Sequence, residues 1–269
     1  MSERTIERAG VRLAAEESGE GAPVVLLHGL TATRRYVVMG SRALERRGHR
    51  VIRYDARGHG RSGPAPAYAY PELAADLLAV MDGFGIERAV LAGASMGGHT
   101  LLRVALDAPE RVAGVVVVTP AFDPEGDPEL ERWDALAEGL RAGGIEGFVA
   151  AYRVEEQVPP AWQTTVATVL RQRMARHDDL GAVADALQQV PRSRPFESWD
   201  ELGRLAVPAL VVASRDEADP GHPLALGERC AAAIPGARLL TEPEGSSPLA
   251  WQGNRLSQAI AELAQEAVV

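Results

Sequence analysis

The chain has 269 residues, 46% of them apolar, and a formal charge of −9. That length supports a large folded domain with a sizeable core, and the apolar content excludes a disordered chain. Every basic side chain is arginine and none gathers into a basic block, which excludes nucleic acid and an anionic membrane as partners and rules out lysine Schiff-base chemistry.

The opening residues Met1-Ser2-Glu3-Arg4 lead into a polar strand pattern with no apolar leader, and no later run is long enough to span a bilayer. A cytoplasmic protein is expected. Thr5 to Arg8, Gly10, then Val11 to Ser18 predict a β-hairpin. The apolar runs Val24 to Leu27 and Val51 to Tyr54 predict strands covered on both faces, with a helix over 42–47 between them. Leu73, Leu77, Val80, Met81 and Phe84 recur at helical spacing. A strand at Ala89 to Ala92, a helix through Gly98 to Leu106 and a strand at Val112 to Val118 follow. This alternation predicts an α/β fold, a mostly parallel eight-stranded sheet flanked by helices. The rhythm stops at Thr119-Pro120. From there to about Asp200 the pattern is helical, around Leu130 to Leu140, Phe148 to Tyr152, Val166 to Met174 and Val183 to Leu187. Residues 121–200 therefore read as an all-helical cap inserted between core segments 1–120 and 201–269. A strand at Ala209 to Ala213, a helix at Leu224 to Ile234, a strand at Ala237 to Leu240 and a helix carrying Leu256, Ile260 and Leu263 complete the core. The lone cysteine, Cys230, reads as a buried thiol; it excludes an intrachain disulfide and a multi-thiolate zinc site.

The most informative segment is Gly93-Ala94-Ser95-Met96-Gly97, directly after an apolar strand and before an amphipathic helix. A serine at such a strand-to-helix turn is pushed outward, and the first helical N–H groups point at whatever it attacks. The glycines are expected because a side chain there would collide with the neighbouring strand or helix.

Three motifs in order, His28-Gly29-Leu30, Asp55-Ala56-Arg57-Gly58-His59-Gly60-Arg61-Ser62 and Gly93 to Gly98, together with the helical insertion, resemble the α/β-hydrolase family over essentially the whole chain. The subgroup it looks most like contains helical-cap esterases, lactonases and C–C hydrolases. The resemblance implies Ser95 as nucleophile, the backbone N–H groups of Leu30 and Met96 as oxyanion donors, and Asp216 as the acid, with Glu217 and Asp219 as solvated neighbours. Asp123, just past the sixth strand, is an alternative acid.

The family's basic histidine belongs in the loop after the last strand. Here that loop reads Glu242-Pro243-Glu244-Gly245-Ser246-Ser247-Pro248, and a serine, Ser246 or Ser247, stands at the vacant position. No histidine follows His222. His222 is the substitute base nearest the acid in sequence. His28 reads as a brace of the oxyanion loop that, with Gly29, could touch substrate. His59 reads as structural, His99 as packing beneath the serine, and His49 and His177 as surface residues. Trp133, Phe148, Tyr152, Trp162 and Met174 are candidates to line an apolar substrate pocket.

The expected function is hydrolysis of an ester, thioester or lactone of a small hydrophobic molecule, with an impaired or relocated base. One alternative is a lyase, cyclase or isomerase that uses Ser95 and the oxyanion donors for binding; another is a non-catalytic ligand-binding protein. No metal or organic cofactor is expected, and the chain is expected to be a monomer or homodimer.

Overall fold

The structure, a computed structural model, describes residues 2–215, 218–243 and 253–267. The hairpin β1 (Ser2–Arg8) and β2 (Val11–Ser18) is followed by β3 (Ala22–Leu27), α1 (Ala43–Arg46), β4 (His49–Tyr54) and α2 (Tyr70–Gly83). Then come β5 (Ala89–Ala94), α3 (Met96–Asp107) and β6 (Val112–Val118). The inserted helices are α4 (Leu130–Tyr152), α5 (Val154–Gln157), α6 (Pro160–Met174) and α7 (Leu180–Gln189). The chain closes with α8 (Trp199–Leu202), β7 (Ala209–Val212), α9 (Leu224–Ala233), β8 (Arg238–Leu240) and α10 (Gly253–Glu266).

The eight strands form one sheet in the order β1-β2-β4-β3-β5-β6-β7-β8. The pairs β1–β2 and β2–β4 are antiparallel and all others parallel. Successive side chains along a strand point to opposite faces, so each apolar run feeds two cores. Val25, Leu27, Leu91, Val115 and Val117 pack with α2, α3 and α9. Val24, Leu26, Val90, Val116 and Val118 pack with α10 and Leu44 of α1. This two-sided burial is why the runs are continuous rather than alternating. Cys230 of α9 lies in the first core, where burial drives its thiol up to about 12.

Parallel register aligns the strands' C-terminal ends: Leu27 pairs with Gly93, Ala94 with Val118, Val118 with Val212, and Val212 with Leu240. The residues that follow each strand therefore emerge along one edge, with Ser95 between the loops after β3 and β6.

Helix α4 is a hairpin. The expected stretches 130–140 and 148–152 belong to one helical run broken at Gly144, whose φ of 58° and ψ of −142° are open to glycine. Its limbs meet backbone to backbone: a Cβ on Gly139 would lie 2.5 Å from the Gly147 carbonyl oxygen, and one on Gly147 would lie 2.0 Å from that of Gly139. The inserted helices share a third apolar cluster with the sheet edge. Leu136, Phe148, Leu170 and Leu187 of the insertion pack in it with Leu30, Tyr70 and Met96. Among the described residues no helix is long and apolar enough to cross a membrane.

Candidate active site

Ser95 occupies the junction between β5 and α3 with φ 48° and ψ −116°. That conformation is strained for a residue with a side chain, at a cost of about 1–3 kcal/mol. It is held because the Ser95 N–H donates to the Val118 carbonyl at 2.9 Å while its own carbonyl accepts from the His99 N–H at 2.9 Å. A Cβ on Gly93 would sit 2.4 Å from the Gly97 carbonyl carbon, and one on Gly97 would sit 2.4 Å from the Leu27 carbonyl oxygen. Strand, turn and helix approach too closely there for any side chain. Ser95 is half-buried, and among the described residues no imidazole hydrogen-bonds its hydroxyl. Met96, the first residue of α3, has an N–H without an intrahelical partner.

The loop after β3 is fixed from behind by imidazoles. The His28 Nε2 accepts the Ala56 N–H at 2.9 Å, so Nδ1 carries the proton and donates to the Gly29 carbonyl at 2.8 Å. The same carbonyl accepts from the Ala32 N–H at 3.0 Å. In a trans peptide the C=O and the following N–H point in opposite directions, so gripping the Gly29 carbonyl fixes where the Leu30 N–H points. With both nitrogens committed and the ring buried, His28 acts on the backbone and has no ring atom left for a substrate. His59 faces the Leu30 carbonyl at 2.5 Å and the Arg57 carbonyl at 2.8 Å.

His99 does lie beneath the elbow. Its Nε2 accepts from the N–H groups of Ala121 and Phe122, at 3.1 and 3.2 Å, and its Nδ1 donates to the Tyr70 hydroxyl at 3.0 Å. It thereby fastens the start of the insertion to the elbow helix. Two expectations fail nearby. His177 and His49 are buried rather than superficial, 8% and 4% exposed. The turn between α6 and α7 folds back on the Asp55 to Ser62 turn: His177 Nδ1 accepts the Gly60 N–H at 2.9 Å, and the Asp178 N–H donates to the Gly60 carbonyl at 2.9 Å. Helical spacing carries no record of that return contact. Burial drives His28, His99 and His177 each down to about 3, so all three are neutral at physiological pH.

Asp216, Ser246 and Ser247 lie outside the described residues. His222 is described, and its Nδ1 sits 2.8 Å from Asp219 Oδ1, with the His222 N–H donating to the Asp219 carbonyl at 3.2 Å. Asp219, expected to be a solvated bystander, is thus the carboxylate that orients the imidazole. Burial pushes its carboxyl up, but the charges of His222, Arg173 and Arg132 outweigh that and hold it below the usual carboxylate range. The overlooked signal is the spacing Asp219-Pro220-Gly221-His222, an acid and an imidazole three residues apart across a Pro-Gly turn. Asp123 instead pairs with Arg229 of α9 at 3.3 Å and caps its own turn through the Glu125 N–H at 3.0 Å. Glu242 ties the loop after β8 to that after β7: its Oε1 accepts from the Ser214 hydroxyl at 2.8 Å and the Arg215 N–H at 2.5 Å.

Of the aromatic pocket candidates, Trp133, Tyr152 and Trp162 are half-buried against the cluster that holds Leu30 and Met96. Phe148 and Met174 are fully buried, 0% exposed, so they bind the inserted helices together and offer no surface to a substrate. A concavity of about 360 Å³ lies on the insertion between Val149, Val154, Thr164 and Arg171 and includes none of the residues around Ser95.

A model of the alpha/beta hydrolase fold family matches residues 22–180. A protein named as a carbamate hydrolase, RutD, from Variovorax paradoxus is 32% identical over 206 residues, 74% of this chain and 75% of that one. A thermophilic esterase from Thermogutta terrifontis superposes with a TM-score of 0.82 at 27% identity, covering 100% of both chains. The enol-lactonase from Burkholderia xenovorans LB400 gives 0.74 at 25% identity, over 98% of this chain and 99% of that one. The chain belongs to the alpha/beta hydrolase fold family and is a hydrolase by its relatives.

Proposed function

We propose that this alpha/beta hydrolase cleaves an ester, thioester or lactone of a small, largely apolar molecule, with Ser95 as nucleophile and the Asp219–His222 pair as a relocated base. The proposed substrate pocket lies between Ser95 and the inserted helices of residues 121–200. The relatives' names, carbamate hydrolase, esterase and enol-lactonase, all describe cleavage at an acyl carbon.

In this reading His222 Nε2 takes the Ser95 hydroxyl proton as Oγ bonds the carbonyl carbon. The oxygen that gains charge is met by the Leu30 and Met96 N–H groups, donors worth about 3–4 kcal/mol each in comparable sites. Collapse expels the alcohol, thiol or ring oxygen with the proton returned from His222. Water, deprotonated by the same imidazole, then releases the acyl group and restores the serine. Asp219 keeps the proton-bearing Nδ1 turned away and stabilises the imidazolium.

The observation that carries the reading is the positive-φ Ser95, strained into place between the oxyanion donors and the α3 N-terminus. A fluorophosphonate probe with peptide mapping tests it: an adduct on Ser95, lost in Ser95→Ala, is expected. A folded protein that stays unlabelled refutes the nucleophile. A second reading, binding or proton-transfer chemistry with Ser95 only as a hydrogen-bond donor, is favoured by the absence of an imidazole on its hydroxyl among the described residues. Under it Ser95→Ala retains ligand binding or turnover, and placing histidine at 246 or 247 creates no esterase.

A further inference from the structure

The cluster joining the inserted helices to Leu30 and Met96 is bordered by two arginines. The Arg132 guanidinium lies 5.7 Å from the centre of the Tyr152 ring, brought there by the α4 hairpin. That of Arg173, near the end of α6, lies 5.7 Å from the centre of the Tyr36 ring in the loop after β3. Among the described residues the Nε of each is buried without a hydrogen-bond partner. Arg132 bonds Glu129 Oε2 from Nη1 at 3.2 Å and also meets the Tyr152 hydroxyl; among the described residues the Arg173 side chain has neither hydrogen bond nor ion pair.

Arg171, two residues earlier, shows the contrast. It grips the exposed Glu146 through Nε and Nη2 at 2.8 and 2.7 Å. Residues two apart face opposite sides of a helix, so α6 sends one arginine outward to hydrogen-bond a carboxylate and the other inward, where Asp219 feels its charge without being hydrogen-bonded to it. A buried charged donor left unmade is costly, so such a group calls for a partner.

The place is informative too. Tyr36 follows β3 and Asp219 follows β7, and Ser95 follows β5 between them in the sheet order. Arg173 stacks on the first, and its charge, with that of Arg132, is felt by Asp219 and Tyr152. Its guanidinium therefore lies between the loop after β3 and the segment after β7 that carries Asp219 and His222.

We propose that Arg173, assisted by Arg132, binds a carboxylate carried by the substrate, which is then an ester, thioester or lactone with a free acid group at the far end of its apolar part. The catalytic half of this statement rests on the hydrolase reading above; the binding half does not. Guanidinium groups suit the task because their planar fork meets both oxygens of a carboxylate.

The test pairs p-nitrophenyl butyrate with mono-p-nitrophenyl glutarate and, separately, measures glutarate binding by calorimetry. The wild type is expected to favour the acidic ester at least 10-fold in kcat/KM. That preference collapses towards unity in Arg173→Gln and is partly restored in Arg173→Lys, whose far-ultraviolet circular dichroism also checks folding. Glutarate binding weakens in parallel. Equal turnover of both esters by wild type and Arg173→Gln overturns the carboxylate site and leaves the hydrolase reading standing. No turnover of either ester, with glutarate binding that depends on Arg173, overturns the hydrolase reading and leaves the site. Glutarate that does not bind, or binds Arg173→Gln as well as wild type, ends the proposal.

Discussion

On the β3 flank of Ser95, the rings of His28 and His59 bond backbone groups of residues 29, 30, 56 and 57. On the β7 flank, one local carboxylate–imidazole pair, Asp219 and His222, stands with the carboxylate side chain 43% exposed and the imidazole 24%. The first arrangement sets backbone direction with buried rings that burial pushes below the usual imidazole range. The second leaves an imidazole accessible and oriented by an acid, which is what proton transfer needs. The histidines around Ser95 thus divide by environment: His28, His59, His99 and His177 are tied into main chain, and His222 is tied to a carboxylate.

The largest effect that sharpens this division is on chemistry alone. His222→Gln is expected to lower kcat/KM by about 10²–10⁴-fold, the usual worth of general-base transfer. Thermal stability should move little, because the variant removes a single partly exposed side-chain contact, worth only about 0–1 kcal/mol. Activity assays beside a melting curve decide it. A variant that melts early but turns over normally would place His222 among the structural histidines.

His28→Ala should show the reverse weighting. It strands the Ala56 N–H and frees the Gly29 carbonyl inside a buried space, a loss of about 2–4 kcal/mol in stability. It also releases the direction of the Leu30 N–H, so kcat falls roughly 10–100-fold while KM changes less. Urea unfolding and steady-state kinetics on one preparation separate the two losses. Unchanged kcat in a folded variant would mean that the Ala32 N–H alone holds the Gly29 peptide.

How much of this was legible in the sequence follows the same line. Local signals worked where structure is local: the apolar runs gave the strands, and Gly93, Ser95 and Gly97 gave a turn whose backbone collisions demand those glycines. The helical insertion was readable from its period, but its hairpin was not, because the Gly139–Gly147 contact depends on a reversal at Gly144. His177 escaped notice for a similar reason, since its partners lie 117 and 146 positions away, at Gly60 and Thr31. The Asp219–His222 contact is local but was not legible, because Asp216, Glu217 and Asp219 all stand near His222 in sequence and only the turn decides which carboxylate meets the ring. Phe148 shows the limit of composition: an aromatic on an amphipathic helix fills the core before it lines a pocket.

The smallest prediction concerns protons. Histidine's ordinary value is near 6.5, and His28, His99 and His177 are each lowered to about 3 by burial. Between those values the unfolded chain binds more protons than the folded one, so stability is full above pH 6.5 and falls as the pH drops. Each group contributes a slope of about 1.4 kcal/mol per pH unit, together about 4. A domain with roughly 5–15 kcal/mol to lose should therefore unfold in acid well before its carboxylates are all protonated. Changing His177 to asparagine removes one of the three, so proton uptake on unfolding at pH 5 should drop by about one. The slope of urea midpoint against pH should flatten accordingly.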